Sequence, residues 1–516
     1  IISSIFCVFM KFLKKLADFL KFHQVRVTIA SPQKKSIMKK LLLHDTLSRK
    51  RLEIVPEDGH KFRFYCCGPT VYGPAHIGNF RAFLAQDFFR RVIELSGLKT
   101  LHVRNITDVD DKTIRESIKS GVALKDFTDG WTDQFHEDAK KLNILEPHIE
   151  PSAVDHIPEQ IELIQKLIDK GNAYISEDGS VYFSVSSYPK YGKLTRIDQR
   201  DLKAGAGETA NDADEYEKDN ISDFVLWKAK KIEDGDNYWE SPWGDGRPGW
   251  HIECSAMAMK YLGETLDLHA GGVDLCFPHH ENEIAQSEAC TGKTFSQHWF
   301  HNEHLMVEGN KMSKSLRNLY TLADIIKKGY NPDELRYALL AGSYRTKLNF
   351  SFDRMIEARI NLKKVSNAAH ALGGIDSYEG LCAIAESDSI EMGLFESSWT
   401  ALLEDLNASA ALGELFVSIK KLEKRLVNDD LSESDKKICR QGLSVIVNAF
   451  GWTLPEPDSV KESVEIPKDV KELAEQRWQA KCDNNWAESD RLRDEVFALG
   501  WVIKDGKESY EVEPVK

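Results

Sequence analysis

No stretch of the 516 residues approaches the ~20 consecutive apolar positions of a membrane-spanning helix, so no span is expected. An even-spaced cysteine framework is also missing. The nine cysteines, at 7, 66, 67, 254, 276, 290, 382, 439 and 482, are scattered, which excludes a disulfide-stapled scaffold and fits a reducing compartment. There are no internal repeats, which excludes a solenoid. A surplus of positive charge is absent too: the net charge is −14. That argues against a nucleic-acid partner only weakly, because binding depends on local patches rather than on the sum. The opening segment lacks the long apolar core and cleavage site of a secretory signal.

What is present is ordinary for a globular chain, 42% hydrophobic and 29% charged. The length is too great for one core and predicts three or four domains. Residues 1–37 mix aromatics with lysines, a composition compatible with an amphipathic surface helix. Met38 opens "MKKLLLHDTLSRKRLEI", which reads like a natural start, so residues 1–37 are taken as an extension without catalytic role. "KKLEKRL" (420–426) reads as a solvated helix face.

"FRFYCC" (62–67) is short, aromatic and strand-like. The turn "GPTVYGP" follows, then a segment whose apolar residues Phe80, Phe83, Leu84, Phe88 and Ile93 fall near helical spacing. "TLHVRNI" is a second strand. Strand, glycine turn, helix, strand is a βαβ unit of nucleotide-binding type. The alternation breaks between about 131 and 240, which reads as an insertion with helical pieces, a hairpin ("AYISEDGSVYFSV") and an acidic loop near 205–220. It returns with "TLDLHAGG" and "HWFHNEHLMVEG" and gives way after 316 to helices. The chain from 467 reads as a small module of helices ending in a strand or hairpin.

Two short motifs carry the chemistry. "HIGN" (76–79) opens the first helix. Backbone N–H groups at a helix N-terminus bind phosphate, Gly78 has no Cβ to hold a flat base away, and His76 suits a hydrogen bond to a phosphate oxygen. "KMSKS" (311–315) sets Lys311 and Lys314 beside two serines, which suits a polyphosphate; Lys314 suits charge neutralisation on a leaving pyrophosphate. The pair resembles the signature of class I aminoacyl-tRNA synthetases. In "HAGGVDLCFPHHENEIAQSEA" (269–289), Pro278 suits a first helical turn, and His279 and Glu283 are then i and i+4 on one face. Cys254 supplies a thiolate from another segment, and one of Cys66 and Cys67 completes a set of two cysteines, a histidine and a glutamate that suits zinc. Adjacent strand residues face opposite ways, so both cannot face one metal; strand geometry alone does not say which does. Cys67 is nearer the strand's C-terminal end, where the glycine turn and His76 put the site.

From Met38 to the C-terminus the chain resembles the cysteinyl-tRNA synthetases, a class I family, through these motifs and through "VRNITDVDDK", "DFVLWK" and "SYRTKLNFS". The resemblance implies an α/β fold: a Rossmann-type parallel-sheet catalytic domain (38–130 and 241–315) with an inserted connective domain (131–240). A helical stem-contact and bundle region (316–466) and an anticodon-recognition module (467–516) would follow. It implies Cys67, Cys254, His279 and Glu283 as ligands of one Zn²⁺ per chain. His76 and Lys314 would be catalytic. ATP, carried with Mg²⁺, would meet His76, Gly78, Asn79, Asp274, Lys311 and Lys314, and the amino acid would meet Thr70 and Trp250. The expected partners are L-cysteine, ATP and tRNA(Cys), with no membrane; a cytoplasmic monomer is expected. Cysteine activation followed by transfer to tRNA is the implied reaction. A tRNA-independent ligase joining cysteine to a small-molecule amine is the alternative, and a non-catalytic RNA-binding paralogue is a third reading. Zinc has a clear use here. Rejecting serine by 10⁴ needs ~5.5 kcal/mol, beyond the ~1–3 kcal/mol of a packing difference, and a soft metal that takes the thiolate directly supplies it. Three features depart from the family: Asn79 ends the HIGH-like motif, Gly73 stands where Asp or Asn is common, and "GAGETANDADEY" replaces an arginine-containing segment.

Overall fold

The computed structural model describes residues 40–196, 223–312, 316, 318–457, 467–483, 485–505 and 510–514. The N-terminal extension, the acidic loop near 205–220 and Lys314 lie outside the described residues. The chain divides into two units, Ile1–Ala358 with Leu372–Thr453, and Arg359–Ala371 with Leu454–Lys516.

The first unit is built on a parallel sheet. Its elements are β1 (Lys61–Cys66), α1 (Ile77–Leu95), β2 (Lys99–Arg104), α2 (Trp250–Leu262), β3 (Leu268–Gly272), α3 (His279–Thr291) and β4 (Trp299–Asn302). The strand order is β4-β3-β1-β2, every pair parallel. Helices cover both faces, so the strands bury nearly every residue rather than alternate. On one face Phe89 of α1 packs edge-on against Phe62 and Phe64 of β1, and Phe64 stacks on His102 of β2. The register sets Cys66 opposite Arg104 and Ala270, and Asn302 opposite Gly272, so the C-terminal strand ends line up along one edge.

α1 is fixed at its start and at its middle. At its start His76 and Asn79 cap each other's backbone. At its middle Asp87 lies against Arg336 and Arg91. Burial alone would raise the Asp87 carboxyl; the two guanidiniums outweigh it and hold it at about 2. Arg336 also donates to the carbonyls of Leu142, Asn143 and Phe450, tying α1 to the later helices.

Between β2 and α2 the chain forms helices Asp111–Ser120, Leu124–Lys141 and Ile157–Asp169 and an antiparallel four-stranded sheet. The hairpin read from sequence is there, Ala173–Ile175 with Val181–Phe183, extended by Phe224–Ala229 and Gly246–Pro248. In Ile157–Asp169 the buried Ile157, Leu163, Ile164 and Leu167 follow the helical period. After β4 a small sheet pairs Leu305–Val307 with Asn310–Lys311 and with Leu348–Phe350. The helices Ala408–Val427 and Glu433–Phe450 come later. The first of them carries "KKLEKRL" with Leu422 buried and Lys420, Lys421 and Lys424 exposed.

Within the second unit, helices Lys468–Cys482 and Trp486–Ala498 and the antiparallel strands Trp501–Asp505 and Tyr510–Pro514 enclose a core of Val470, Ala474, Val496, Trp501 and Ile503.

Candidate active site and metal centre

A cavity of about 480 Å³ crosses the C-terminal ends of the strands, where open parallel sheets bind ligands. One end of it is built at the start of α1. His76 is the N-cap: its Nδ1 accepts from Asn79 N at 3.2 Å, and Asn79 Oδ1 accepts from His76 N at 3.0 Å. So Asn79 has a mechanical role in the motif. Burial pushes the His76 pKa down, against a smaller opposing pull from Asp274, so the ring is neutral. With Nδ1 accepting, the ring proton sits on Nε2, which leaves that nitrogen a donor. A Cβ on Gly78 would stand 3.0 Å from the His76 ring and from Met312 Sδ, so a side chain there would crowd the motif. Ile77 N donates to Tyr320 O at 2.8 Å, and His76 bridges Thr321, which draws the segment after "KMSKS" against the start of α1. Lys311 and Asp274 line the same cavity. Gly73 faces open space, so no steric demand explains glycine there.

The other end holds the thiols. Cys67, Cys254, His279 and Glu283 bring one donor atom each within 4.8 Å of one another. Cys254 and Glu283 are 0% exposed, His279 1% and Cys67 7%. Cys66 is not in the cluster; it is the last residue of β1, fully buried, and burial raises its thiol pKa. The turn after Cys67 is held by close contact: Gly68 N donates to Asn105 Oδ1 at 2.9 Å, and a Cβ on Gly68 would lie 1.6 Å from the Asn105 carbonyl oxygen. Asn105 Oδ1 also lies 3.7 Å from Cys254 Sγ. His279 and Glu283, one turn apart on α3, meet at 3.0 Å.

The electrostatics favour a cation. The hydrogen bond from Cys67, helped by the charge and hydrogen bond of His279, pulls the Cys254 thiol down to about 6 against burial and the repulsion of Glu283, while burial pushes the Cys67 thiol up. Burial disfavours charge on both His279 and Glu283, yet their mutual attraction prevails. Glu283 is held at about 2, with His269 the larger helper, and His279 is raised to about 10, helped by Cys254. Two sulfurs, an imidazole and a carboxylate converging in a buried spot form the mixed donor set zinc accepts.

A second set, Cys67, His269, His280 and Glu283, satisfies the same spacing. The two share Cys67 and Glu283, so they compete for one ion. Cys67, Cys254 and His279 line the cavity, whereas His269 and His280 do not. Three of the four donors of the first set therefore face the cavity, against Cys67 alone in the second. His269 and His280 stand behind it: His269 Nε2 lies 2.7 Å from Glu283 Oε2, and His280 Nε2 lies 3.3 Å from Cys67 Sγ. His280 continues to His301 at 2.7 Å, and His301 to Thr46 at 2.8 Å. These partners hold the donors in orientation. Sequence reasoning missed His269, His280, His301 and Asn105. The doubled histidine after Pro278 was the available signal for His280. Thr70 and Trp250 line the cavity, and the Trp250 ring lies 4.4 Å from the His279 ring. Every expected site residue among those described borders the cavity except Glu283, which backs it.

Residues 53–360 match the family model for the tRNA synthetases class I (C) catalytic domain. The structure of Mycobacterium tuberculosis methionyl-tRNA synthetase with methionyl-adenylate superimposes with a TM-score of 0.54 at 16% identity, over 76% of this chain and 89% of that one. That likeness bears on the fold alone, and together with the family match it sets the class: a class I tRNA synthetase. Among curated proteins, the cysteine–tRNA ligase of Opitutus terrae is 50% identical over 92% of this chain and 99% of its own length. Those of Protochlamydia amoebophila and Chlamydia muridarum are 43% and 42% identical, over 90% and 92% of this chain and 96% and 100% of theirs. The chain belongs to the cysteine–tRNA ligase family.

Proposed function

We propose that this protein activates L-cysteine with ATP and esterifies it to the 3′-terminal adenosine of tRNA(Cys). The observation that carries the reading is one cavity with a helix-capped phosphate site at one end and the thiol–imidazole cluster at the other. In the first step a cysteine carboxylate oxygen attacks the α-phosphorus of ATP, and the bond to pyrophosphate breaks. In the second the terminal ribose hydroxyl attacks the carbonyl carbon and releases AMP. The protein acts by positioning and by stabilising charge that develops on phosphate.

His76 Nε2 donates to a phosphate oxygen of ATP, Lys311 and Lys314 balance the triphosphate, and Mg²⁺ arrives with the nucleotide. Gly78 and Asn79 let the nucleotide approach the start of α1, and Asp274 faces the adenosine. Thr70 and Trp250 frame the amino acid. Cys67, Cys254, His279 and Glu283 would hold one Zn²⁺, which when bound supplies a soft Lewis acid that prefers a thiolate to a hydroxyl. His269 and His280 keep Glu283 and Cys67 aimed at that point. The helices after 316 and the module from 467 contact tRNA stem and anticodon. The protein works as a monomer in the cytoplasm; among the described residues no helix is long and apolar enough to cross a membrane.

Cysteine-dependent ATP–pyrophosphate exchange tests the first step, and attachment of labelled cysteine to tRNA tests the second. Exchange without charging would redirect the reading to a small-molecule acceptor.

A further inference from the structure

The order β4-β3-β1-β2 places the loops after β4 and β2 at opposite edges of the sheet. Lys311 follows β4 and belongs to the phosphate end. The β2 edge of the cavity is lined by Lys112, by Trp131 and, from the turn after β1, by Tyr72. Tyr72 lines the cavity and is 39% exposed, so it is open to solvent at that rim. Lys112 Nζ stands 5.7 Å from the ring centroid, within cation–π range. Lys112 is anchored through its neighbour: Asp111 is clamped by Lys228 at 2.8 Å and by Arg247, both from the inserted sheet. A cation beside a part-exposed tyrosine, at the rim of a cavity in a chain of net charge −14, is a local device. This pairing suits single-stranded nucleic acid, with the ring stacking a base and the ammonium meeting a phosphate.

We propose that Tyr72 and Lys112 receive the single-stranded 3′ end of the tRNA, Tyr72 stacking a base and Lys112 pairing with a backbone phosphate, so that the terminal ribose points into the cavity. Trp131 walls the same entrance. The assignment rests on the functional reading above and names the side of the site from which the acceptor enters. Amino acid and ATP occupy the thiol cluster and the α1 end, so these two side chains serve the transfer step and not adenylate formation.

The test uses the full-length protein and separates the half-reactions. In Tyr72→Ala and Lys112→Met, cysteine-dependent exchange stays within about twofold of the parent. Single-turnover transfer from preformed cysteinyl-adenylate to tRNA falls by roughly tenfold or more, as the loss of one stacked base implies. Tyr72→Phe keeps the ring and restores transfer; Lys112→Arg keeps the charge and does the same. These conservative variants guard against a misfolded alanine variant. Lys112→Met also flattens the salt dependence of transfer. Transfer unchanged in both disruptive variants, with the parent charging tRNA normally, overturns the assignment alone. Exchange falling in step with transfer also overturns it, since the side chains would then serve activation. A parent that exchanges but never charges tRNA removes the functional reading and this inference with it.

Discussion

Cys66 and Cys67 are neighbours in sequence with opposite surroundings, so paired substitutions separate structure from chemistry. Cys66 lies at the end of β1 on the side away from the donor cluster and is completely buried. Cys66→Ala removes one buried sulfur and nothing else, a cavity effect of about 1 kcal/mol. Cys67 brings its Sγ within 3.9 Å of Glu283 Oε1 and within 4.8 Å of the Cys254 and His279 donor atoms. Loss of an outer-shell partner alone lowers metal affinity 10- to 100-fold, so loss of a direct donor should exceed about 10²-fold, or roughly 2.7 kcal/mol. The assay is zinc content after dialysis against a competing chelator, read beside cysteine-dependent exchange. Cys66→Ala should keep its metal and its activity with a small drop in Tm. Cys67→Ala should lose both while remaining folded. Zinc retained in Cys67→Ala and lost in Cys66→Ala would refute the reasoning.

Lys314→Ala should depress kcat of adenylate formation by ~10²–10³ with a smaller change in cysteine KM, measured by exchange; an effect confined to KM would reduce Lys314 to a binding group. Zinc uptake should release protons in a pattern set by the cluster. With Cys254 at about 6, Glu283 at about 2 and His279 at about 10, the metal-free site at pH 7 carries protons on Cys67 and His279. Binding then releases about two protons at pH 7, so affinity falls about 10²-fold per unit of lowered pH; below about pH 6 Cys254 adds a third and the fall steepens. Calorimetry in buffers of different ionisation enthalpy reads that number, and a release near zero at pH 7 would contradict the ligand set. Ending the chain before Pro467 removes a module with its own core and should leave cysteine activation intact while weakening aminoacylation; unchanged charging would take away the tRNA role given to that module.

Much of the site could be read from local sequence because its parts are local. The strand–turn–helix around Cys67 and His76 is contiguous, and His279 and Glu283 meet because a helix turns every 3.6 residues. What could not be read is what the sheet assembles. His269 sits on β3, His280 on α3 and His301 on β4, and they become a chain of contacts only through the order β4-β3-β1-β2. Asn105 is similar: it fixes Gly68 because β2 runs parallel beside β1, which no spacing in the sequence reveals. Which of Cys66 and Cys67 stands beside His280 and Glu283, open from strand geometry alone, emerges only in the fold, where it is Cys67, just past the end of β1. Asn79 looked like a mere variant of its motif, and its reciprocal cap with His76 emerges only when the backbone is seen.

The central claim is that the donor cluster at the end of this cavity is what admits cysteine and excludes serine. The most direct measurement is ATP–pyrophosphate exchange with each amino acid, on metal-free protein and on the same protein after one equivalent of zinc. Cysteine-dependent exchange should vanish without metal while ATP still binds, and should return with zinc, serine remaining inert throughout. Metal-free protein that activates cysteine and rejects serine as well as the reconstituted protein does would contradict the account.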